Sequence, residues 1–302
     1  MMKPILTGFL DLNGKTTFNE QITRAQKHGI EYLALRMYQG QRLIELGDSE
    51  IKTMLQELKN AKLKVSIIDS GIEPYDLYDD KKHKDAVDEF KYMLKFADKF
   101  KASYLYLMLP QFNDVIEEIE PILKRLEDFI DAAMRQSKKI ILRPSAEHKT
   151  NVYAYIFKKM KSKDITYAFD PVHLVTHDES TTTAYRLLRN KIGIISAIDS
   201  DHQGLPKLLG YGKTDVISIF KKLLRDRYDG FISIDNHFYE NVFHETPVKQ
   251  SFFQKLFSNE KKKKEDQMSD LSKKIFPNEE TKNVTYDDIL ENQIKVVKII
   301  FK

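Results

Sequence analysis

The sequence predicts an α/β fold, a parallel (β/α)8 barrel, on three observations. Short apolar runs rich in β-branched and aromatic residues recur along the chain, segments of helical spacing separate them, and the alternation repeats eightfold. An open doubly wound sheet is the other arrangement of such an alternation. Against it, no Gly-x-Gly-x-x-Gly or Gly-x-x-x-x-Gly-Lys-Ser/Thr follows any of the runs, so the phosphate-cradling loops of nucleotide-binding sheets are missing.

In chain order, strands are expected at Ile5 to Leu10, Tyr32 to Leu35, Lys64 to Ile68, Ser103 to Met108, Lys139 to Leu142, Ile165 to Phe169, Gly193 to Ile198 and Phe231 to Ile234. Helical stripes read Ile51, Met54, Leu55, Leu58; then Phe90, Met93, Leu94, Ala97; then Ile122, Leu123, Leu126, Phe129, Ile130. After the eighth strand come a stretch rich in His, Asn and aromatics, Asn236 to His244, and the cluster Phe252-Phe253-Gln-Lys-Leu-Phe257. The lysine run Lys261 to Lys264 reads as a solvated linker rather than a nucleic-acid or membrane tether. Apolar residues at Ile289, Leu290, Ile294, Val296, Val297 and Ile299 give the last helix, Asp287 to Phe301. Residues 241–286 are thus a long charged insertion over the barrel mouth, inside a single domain spanning 1–302.

Composition narrows the function classes. With 302 residues, 41% of them hydrophobic, the chain can bury one large core. Net charge is +4, from 49 Lys and Arg against 45 Asp and Glu, which argues against a nucleic-acid partner. Zero cysteines exclude disulfides, thiolate catalysis and cysteine-held zinc, so a metal would need His, Asp, Glu or water. The N-terminal apolar run is too short for a signal peptide, and no stretch approaches a membrane span, so a cytoplasmic protein with no membrane partner is expected.

The segment Ile165-Thr-Tyr-Ala-Phe-Asp-Pro-Val-His173 is a short apolar strand that delivers Asp170 and His173 at its C-terminal end. Barrel chemistry sits at strand C-termini, and Asp-x-x-His offers one oxygen and one nitrogen to a divalent cation or a substrate. The alternative is structural: Asp170 caps the next helix and His173 packs in a loop.

Together with Phe169-Asp-Pro-Val-His173, two further segments resemble a known family: Leu209-Gly-Tyr-Gly-Lys-Thr-Asp-Val-Ile217 and Tyr228-Asp-Gly-Phe-Ile-Ser-Ile-Asp235. The chain up to Asn236 resembles the xylose-isomerase-like barrels, which include sugar-phosphate isomerases and epimerases, inosose dehydratases and endonuclease IV. The resemblance implies one divalent cation, Zn, Mn or Co, held by Glu, Asp, His and Glu at the ends of strands five to eight. Carried over by position, Asp170 matches the strand-six aspartate and His173 a histidine often found three residues on. Asp235 stands where the strand-eight Glu is implied. At strand five Arg143 replaces the ligating Glu, and a guanidinium offers no lone pair. Strand seven has no histidine in place, although His202 lies just beyond it and Asp199 or Asp201 could substitute. The implied metal set is Asp170, His173, His202 and Asp235, which is incomplete, so the metal is either held by a rebuilt site or lost.

Arg143 at the barrel mouth can do part of a cation's work, and Arg36, ending strand two, could join it to grip a phosphate or carboxylate. The structural alternative is that both arginines pair with Asp69, Asp170 or Asp235. Three functions stay open. One is a sugar or sugar-phosphate isomerase or epimerase acting on a polyol, keto sugar or sugar phosphate, with Asp235 or Asp170 as base, Arg143 or a weakly held divalent metal as stabiliser, and Arg36, Asp69, Arg143 and His237 binding substrate. Another is a catalytically degenerate barrel that binds a ligand or partner, and a homo-oligomer is compatible with either. The third, an endonuclease-IV-like DNA repair enzyme, needs more metal ligands than remain. His28 and His83 lie in helical, charged surroundings, whereas His148, His177 and His244 lie near strand-end loops, and Glu147 could supply the missing strand-five carboxylate only if its loop folds back.

Overall fold

The computed structural model describes residues 3–11, 16–160, 162–204, 206–235 and 286–302, without the side chains of Pro206, Asp235 and Tyr286. Eight strands form one sheet: β1 Ile5–Phe9, β2 Tyr32–Leu35, β3 Lys64–Asp69, β4 Tyr104–Leu107, β5 Lys139–Leu142, β6 Ile165–Phe169, β7 Ile192–Ser196 and β8 Phe231–Asp235. Their order is β1-β8-β7-β6-β5-β4-β3-β2, and every hydrogen-bonded pair is parallel. Helices cover the outside: α1 Phe18–His28, α2 Asp48–Ala61, α3 Asp80–Lys99, α4 Ile119–Met134, α5 Thr150–Lys159, α6 Pro171–Thr176, α7 Thr181–Leu188, α8 Val216–Arg225 and α9 Tyr286–Ile300. The fold is the (β/α)8 barrel that the eightfold alternation predicts. The insertion at 241–286 lies outside the described residues, apart from the backbone of Tyr286.

Two layers of apolar side chains follow from the period of two along each strand. Phe9, Ala34, Ile67, Tyr106, Ile141, Ala168, Ile194 and Phe231, one residue from each strand, meet inside the barrel. Their chain neighbours, such as Leu33, Leu35, Ile68, Leu105, Ile140, Phe169, Ile195 and Ile232, face outward and pack in the larger core with the helices. The expected helical stripes supply that second layer: Ile51, Met54 and Leu58 on α2, Phe90, Met93, Leu94 and Ala97 on α3, and Ile122, Leu126, Phe129 and Ile130 on α4 are buried.

The seam between β1 and β2 is closed by side chains. These strands touch, but no ladder joins them among the described residues. The register of β2 on β3 shifts between Leu33 and Ala34, which leaves Ser66 without a partner in β2. Ser66 Oγ donates to the Leu33 carbonyl at 3.1 Å, and Thr7 on β1 lies 2.6 Å from the same hydroxyl, so Thr7 is the donor of that second bond. One strand away from β1, across β8, β7 ends two residues earlier than its apolar run suggests. Gln293 Nε2 of α9 donates to the Ala197 carbonyl at 2.7 Å, and Asp199–Ser200 then pairs antiparallel with Pro206–Lys207 in a small hairpin.

The chain ends pack together on the outside. α1 begins with a capping box, in which Glu20 Oε2 accepts from Thr17 N at 2.7 Å, and ends at Gly29 with φ +66°. On its last turns Lys27 reaches Asp287 of α9 at 2.6 Å and Arg24 reaches it at 3.4 Å. Burial raises the Asp287 pKa, but Lys27, Arg24 and His28 together hold it below the usual carboxylate value. Burial pushes the His28 imidazole down.

Candidate functional site at the barrel mouth

Counting two residues beyond each interior side chain gives the next inward position on every strand, and these positions ring the C-terminal mouth. They are Asp11, Arg36, Asp69, Met108, Arg143, Asp170, Ser196 and Ser233. Asp235 follows Ser233 by two, at the backbone position paired with Phe9.

On the β1 to β5 side the ring is a row of compensated charges over aromatic rings. Arg36 grips Asp11 in a fork, Nη2 to Oδ1 at 2.7 Å and Nε to Oδ2 at 3.0 Å, with its guanidinium 5.1 Å from the Phe9 ring centre. Arg143 Nη1 donates to Asp69 Oδ2 at 2.8 Å and stands 5.5 Å from the Tyr106 ring centre. Phe9 and Tyr106 lie 5.5 Å apart, so the two cations rest on adjacent rings. Asp69 is further fixed because its Oδ1 accepts from Gly71 N at 3.1 Å. Asp11 is 2% exposed, which makes its pair with Arg36 a buried one; the Arg143 side chain is 34% exposed and faces solvent.

The loops above this side are laced to one another. Leu77 N donates to the Gln111 carbonyl at 3.0 Å, Gln111 N to the Tyr75 carbonyl at 2.8 Å, and the Gln111 side chain to Glu147 at 2.8 Å. His148 is buried, stacks 4.0 Å from Phe112 and donates from Nε2 to the Pro110 carbonyl at 3.1 Å. Beneath Arg143, the buried Tyr153 hydroxyl donates to its carbonyl at 3.1 Å and accepts from Ser145 N at 3.1 Å; burial raises that phenol to about 12, so it stays protonated.

The β6 to β8 side is built differently. Asp170 Oδ1 accepts from Val172 N and His173 N, both at 3.0 Å, and so caps α6, whose first residue is Pro171. His173 stacks on His177 at 4.1 Å, and His177 Nδ1 lies 2.7 Å from the His173 carbonyl. Ser196 and Ser233 are register partners on β7 and β8, and Ser233 Oγ is buried with no hydrogen-bond partner among the described residues. Asp199 is 1% exposed, and its two oxygens accept five hydrogen bonds of 2.8 to 3.2 Å, from Ser200 N, Gly210 N, Gly212 N, Thr214 N and Thr214 Oγ1. This explains the Gly-x-Gly-x-x-Asp segment: Gly210 turns with φ +89°, and a Cβ on Gly212 would stand 1.9 Å from Asp199 Oδ1.

The residues that the sequence singles out therefore divide into groups. Arg36, Asp69, Arg143 and Asp170 ring one mouth. Arg143 takes Asp69 as partner, as the structural alternative expects, whereas the fork partner of Arg36 is Asp11. Asp199, offered as a replacement ligand, is instead the buried anchor of the glycine loop. His202 is exposed in the hairpin after β7, and Asp201 lies 3.7 Å from Lys207. Glu147 is engaged by Gln111, and His83 sits between Tyr75 at 2.7 Å and Asp128 at 2.8 Å on the outer layer. His237, His244 and the side chain of Asp235 lie outside the described residues. No motif in the sequence marks Asp11, Ser196, Ser233 or the Phe9 and Tyr106 rings as site residues. Their signal is positional: each follows from counting by two along an apolar strand.

The donor set implied for a divalent cation does not fit these residues. At the strand-five position stands a guanidinium, at strand seven a serine, and the strand-six aspartate spends one oxygen on a helix cap. Among the described residues no group of three or more His, Asp or Glu side chains could hold a metal ion. None of the described helices is long and apolar enough to cross a membrane.

Comparison with solved structures gives the same architecture at low identity. The chain is similar to the IOLI protein with a binding zinc atom, at 17% identity and a TM-score of 0.64 over 91% of this chain and 99% of that one. It is similar to a D-tagatose 3-epimerase-like protein, at 16% identity and 0.62 over 78% and 91%. D-psicose 3-epimerase from Clostridium cellulolyticum H10, solved with D-tagatose, matches at 14% identity and 0.61 over 78% and 84%. No curated protein sequence matches the chain. Residues 22–252 match the family model of the xylose isomerase-like TIM barrel, and the chain belongs to that family.

Proposed function

We propose that the barrel mouth binds a small polyol, keto sugar or sugar phosphate and moves a proton at the carbon next to its carbonyl, as a sugar isomerase or epimerase does. The observation that carries this reading is the Arg143 guanidinium, fixed by Asp69 and Tyr106 at the rim where Asp170 also stands. The step is a proton transfer. The C–H proton passes to a carboxylate, the electron pair moves onto the carbonyl oxygen, and the enediolate oxygen is stabilised by hydrogen bonds from Arg143. Return of a proton to the opposite face of the same carbon gives the epimer; return to the former carbonyl carbon, with the hydroxyl proton of the first carbon passing to the enediolate oxygen, gives the isomer. Asp235, at the end of β8, and Asp170 are the base candidates; Asp235 is preferred because Asp170 Oδ1 already serves two backbone N–H groups. His237, two residues on from Asp235, is the candidate acid. No step is assigned to a metal, because the donor set described above does not fit one.

Support comes from the family, which includes sugar epimerases and isomerases, and from the two epimerase-type neighbours. The test is solvent-deuterium incorporation, followed by proton NMR, across ketopentoses, ketohexoses and their phosphates. Exchange at the carbon next to the carbonyl that is lost in Asp235→Asn supports the reading, and binding of a sugar without exchange overturns it. The capping duty of Asp170 favours one second reading, a catalytically degenerate barrel that binds the same compounds without turning them over, and that same outcome would establish it.

A further inference from the structure

We infer that this mouth takes an uncharged sugar in preference to a phosphorylated one, because the Arg143–Asp69 couple offers hydrogen bonds without offering net charge. The inference rests on the reading of the mouth as a sugar site. A lone guanidinium at a strand end would attract phosphate. Here each guanidinium already has its counter-ion, Asp69 at 2.8 Å from Arg143 and Asp11 at 2.7 Å from Arg36. Among the described inward residues three carboxylates, on Asp11, Asp69 and Asp170, outnumber the two guanidiniums, on Arg36 and Arg143. A phosphate dianion entering that ring would have to compete with Asp11 and Asp69 for guanidiniums they already hold.

An uncharged polyol meets favourable chemistry in the same place. Its vicinal hydroxyls donate to carboxylate oxygens and accept from guanidinium N–H groups, whose cations already cover the Phe9 and Tyr106 rings beneath them. Arg143 thereby polarises a carbonyl or hydroxyl oxygen by hydrogen bonding. The couple is rigid: Tyr153 fixes the Arg143 main chain, and Gly71 N fixes Asp69 from the other side. Removing the Asp69 charge while keeping its shape would make the rim more positive by one unit beside Arg143, so the preference should turn toward the phosphate.

The experiment is calorimetric titration of the full chain, in the presence of a chelator, with the ketohexoses and with their 1- and 6-phosphates. The expected result is binding of at least one free ketose, with its phosphates weaker on the order of tenfold. Asp69→Asn should narrow or reverse that ratio, whereas Arg143→Met should weaken the free ketose and leave the ratio unreversed. Circular dichroism confirms that both variants are folded, and Asp69→Glu, which keeps the charge, should keep the preference. Tighter binding of the phosphates to the unaltered protein overturns the inference, as does a ratio unmoved by Asp69→Asn or the absence of binding by any of these sugars. Binding that needs added Zn, Mn or Co overturns it too. Deuterium exchange is read separately: its absence with the binding preference intact removes the proposed catalysis and leaves the selectivity standing.

Discussion

The two halves of the barrel mouth solve the same problem, a ring of polar groups over an apolar interior, in opposite ways. From β1 to β5 the charges neutralise one another across strands: Asp11 with Arg36, Asp69 with Arg143, each cation on an aromatic ring. From β6 to β8 polar groups are held by backbone or left with small hydroxyls: Asp170 caps α6, Asp199 anchors the glycine loop, and Ser233 has no partner among the described residues. The first half therefore pairs its charges side chain to side chain, while the second holds its described carboxylates on backbone N–H groups. The difference teaches how a strand-end arginine is held at this mouth: a carboxylate from another strand end receives each guanidinium.

The largest expected effect falls on the first half. Arg36→Met leaves the buried Asp11 carboxylate without its fork and should cost about 3–5 kcal/mol, because breaking a buried pair leaves an uncompensated charge. Urea denaturation checks this, and a loss under 1 kcal/mol would put the pair among weak surface bridges and erase the contrast. Next comes Gly212→Ala on the second half. Its Cβ would meet Asp199 Oδ1 at 1.9 Å and the Ser200 carbonyl at 2.5 Å, so overpacking should cost about 1–3 kcal/mol. An unchanged midpoint in the same titration would mean that the glycine loop is not held by Asp199.

A smaller effect separates the mouth from the outer docking of α9. His28 is depressed by burial, so both folded and unfolded chains carry it neutral above about 6.5. Below that pH the unfolded chain takes the proton first and stability falls. Asp287 is also depressed, and its contribution is present above the ordinary carboxylate range and lost only as pH falls through its lowered value. The amide protection factors of Tyr286–Ile300, corrected for the intrinsic exchange rate at each pH, should thus fall from about pH 6.5 downward, and a His28→Gln variant should flatten the upper part of that profile. The smallest effect is at Ser233. Its hydroxyl makes no hydrogen bond among the described residues, so Ser233→Ala should be neutral or stabilising by up to about 1 kcal/mol, whereas Ser66→Ala, which breaks the seam bonds, should cost about 1 kcal/mol.

Much of this architecture is legible in the sequence because it rests on period. The runs at Tyr32 to Leu35, Lys139 to Leu142 and Ile165 to Phe169 are β2, β5 and β6 to the residue, and Arg143 and Asp170 follow directly as strand-end positions. The register shift at Leu33 is not legible, nor is the seam that Ser66 and Thr7 close, since both depend on which strands meet. Asp11 is hidden for a similar reason: its partner Arg36 lies 25 residues away, just past the end of β2, and nothing local marks it as ionically paired. Asp199 resembles a ligand in sequence because an aspartate just after a strand can point either into the mouth or back into its own loop. Five backbone and hydroxyl donors from the glycine segment decide for the loop.

The most direct test of a mouth in which Arg143 supplies the polarising group is deuterium exchange into the ketose panel, run with a chelator, for the unaltered protein and for Arg143→Met. Exchange next to the carbonyl that survives the chelator and is lost in the variant is the result this account predicts. Exchange that the chelator abolishes and a divalent metal restores, or that persists without Arg143, would contradict it.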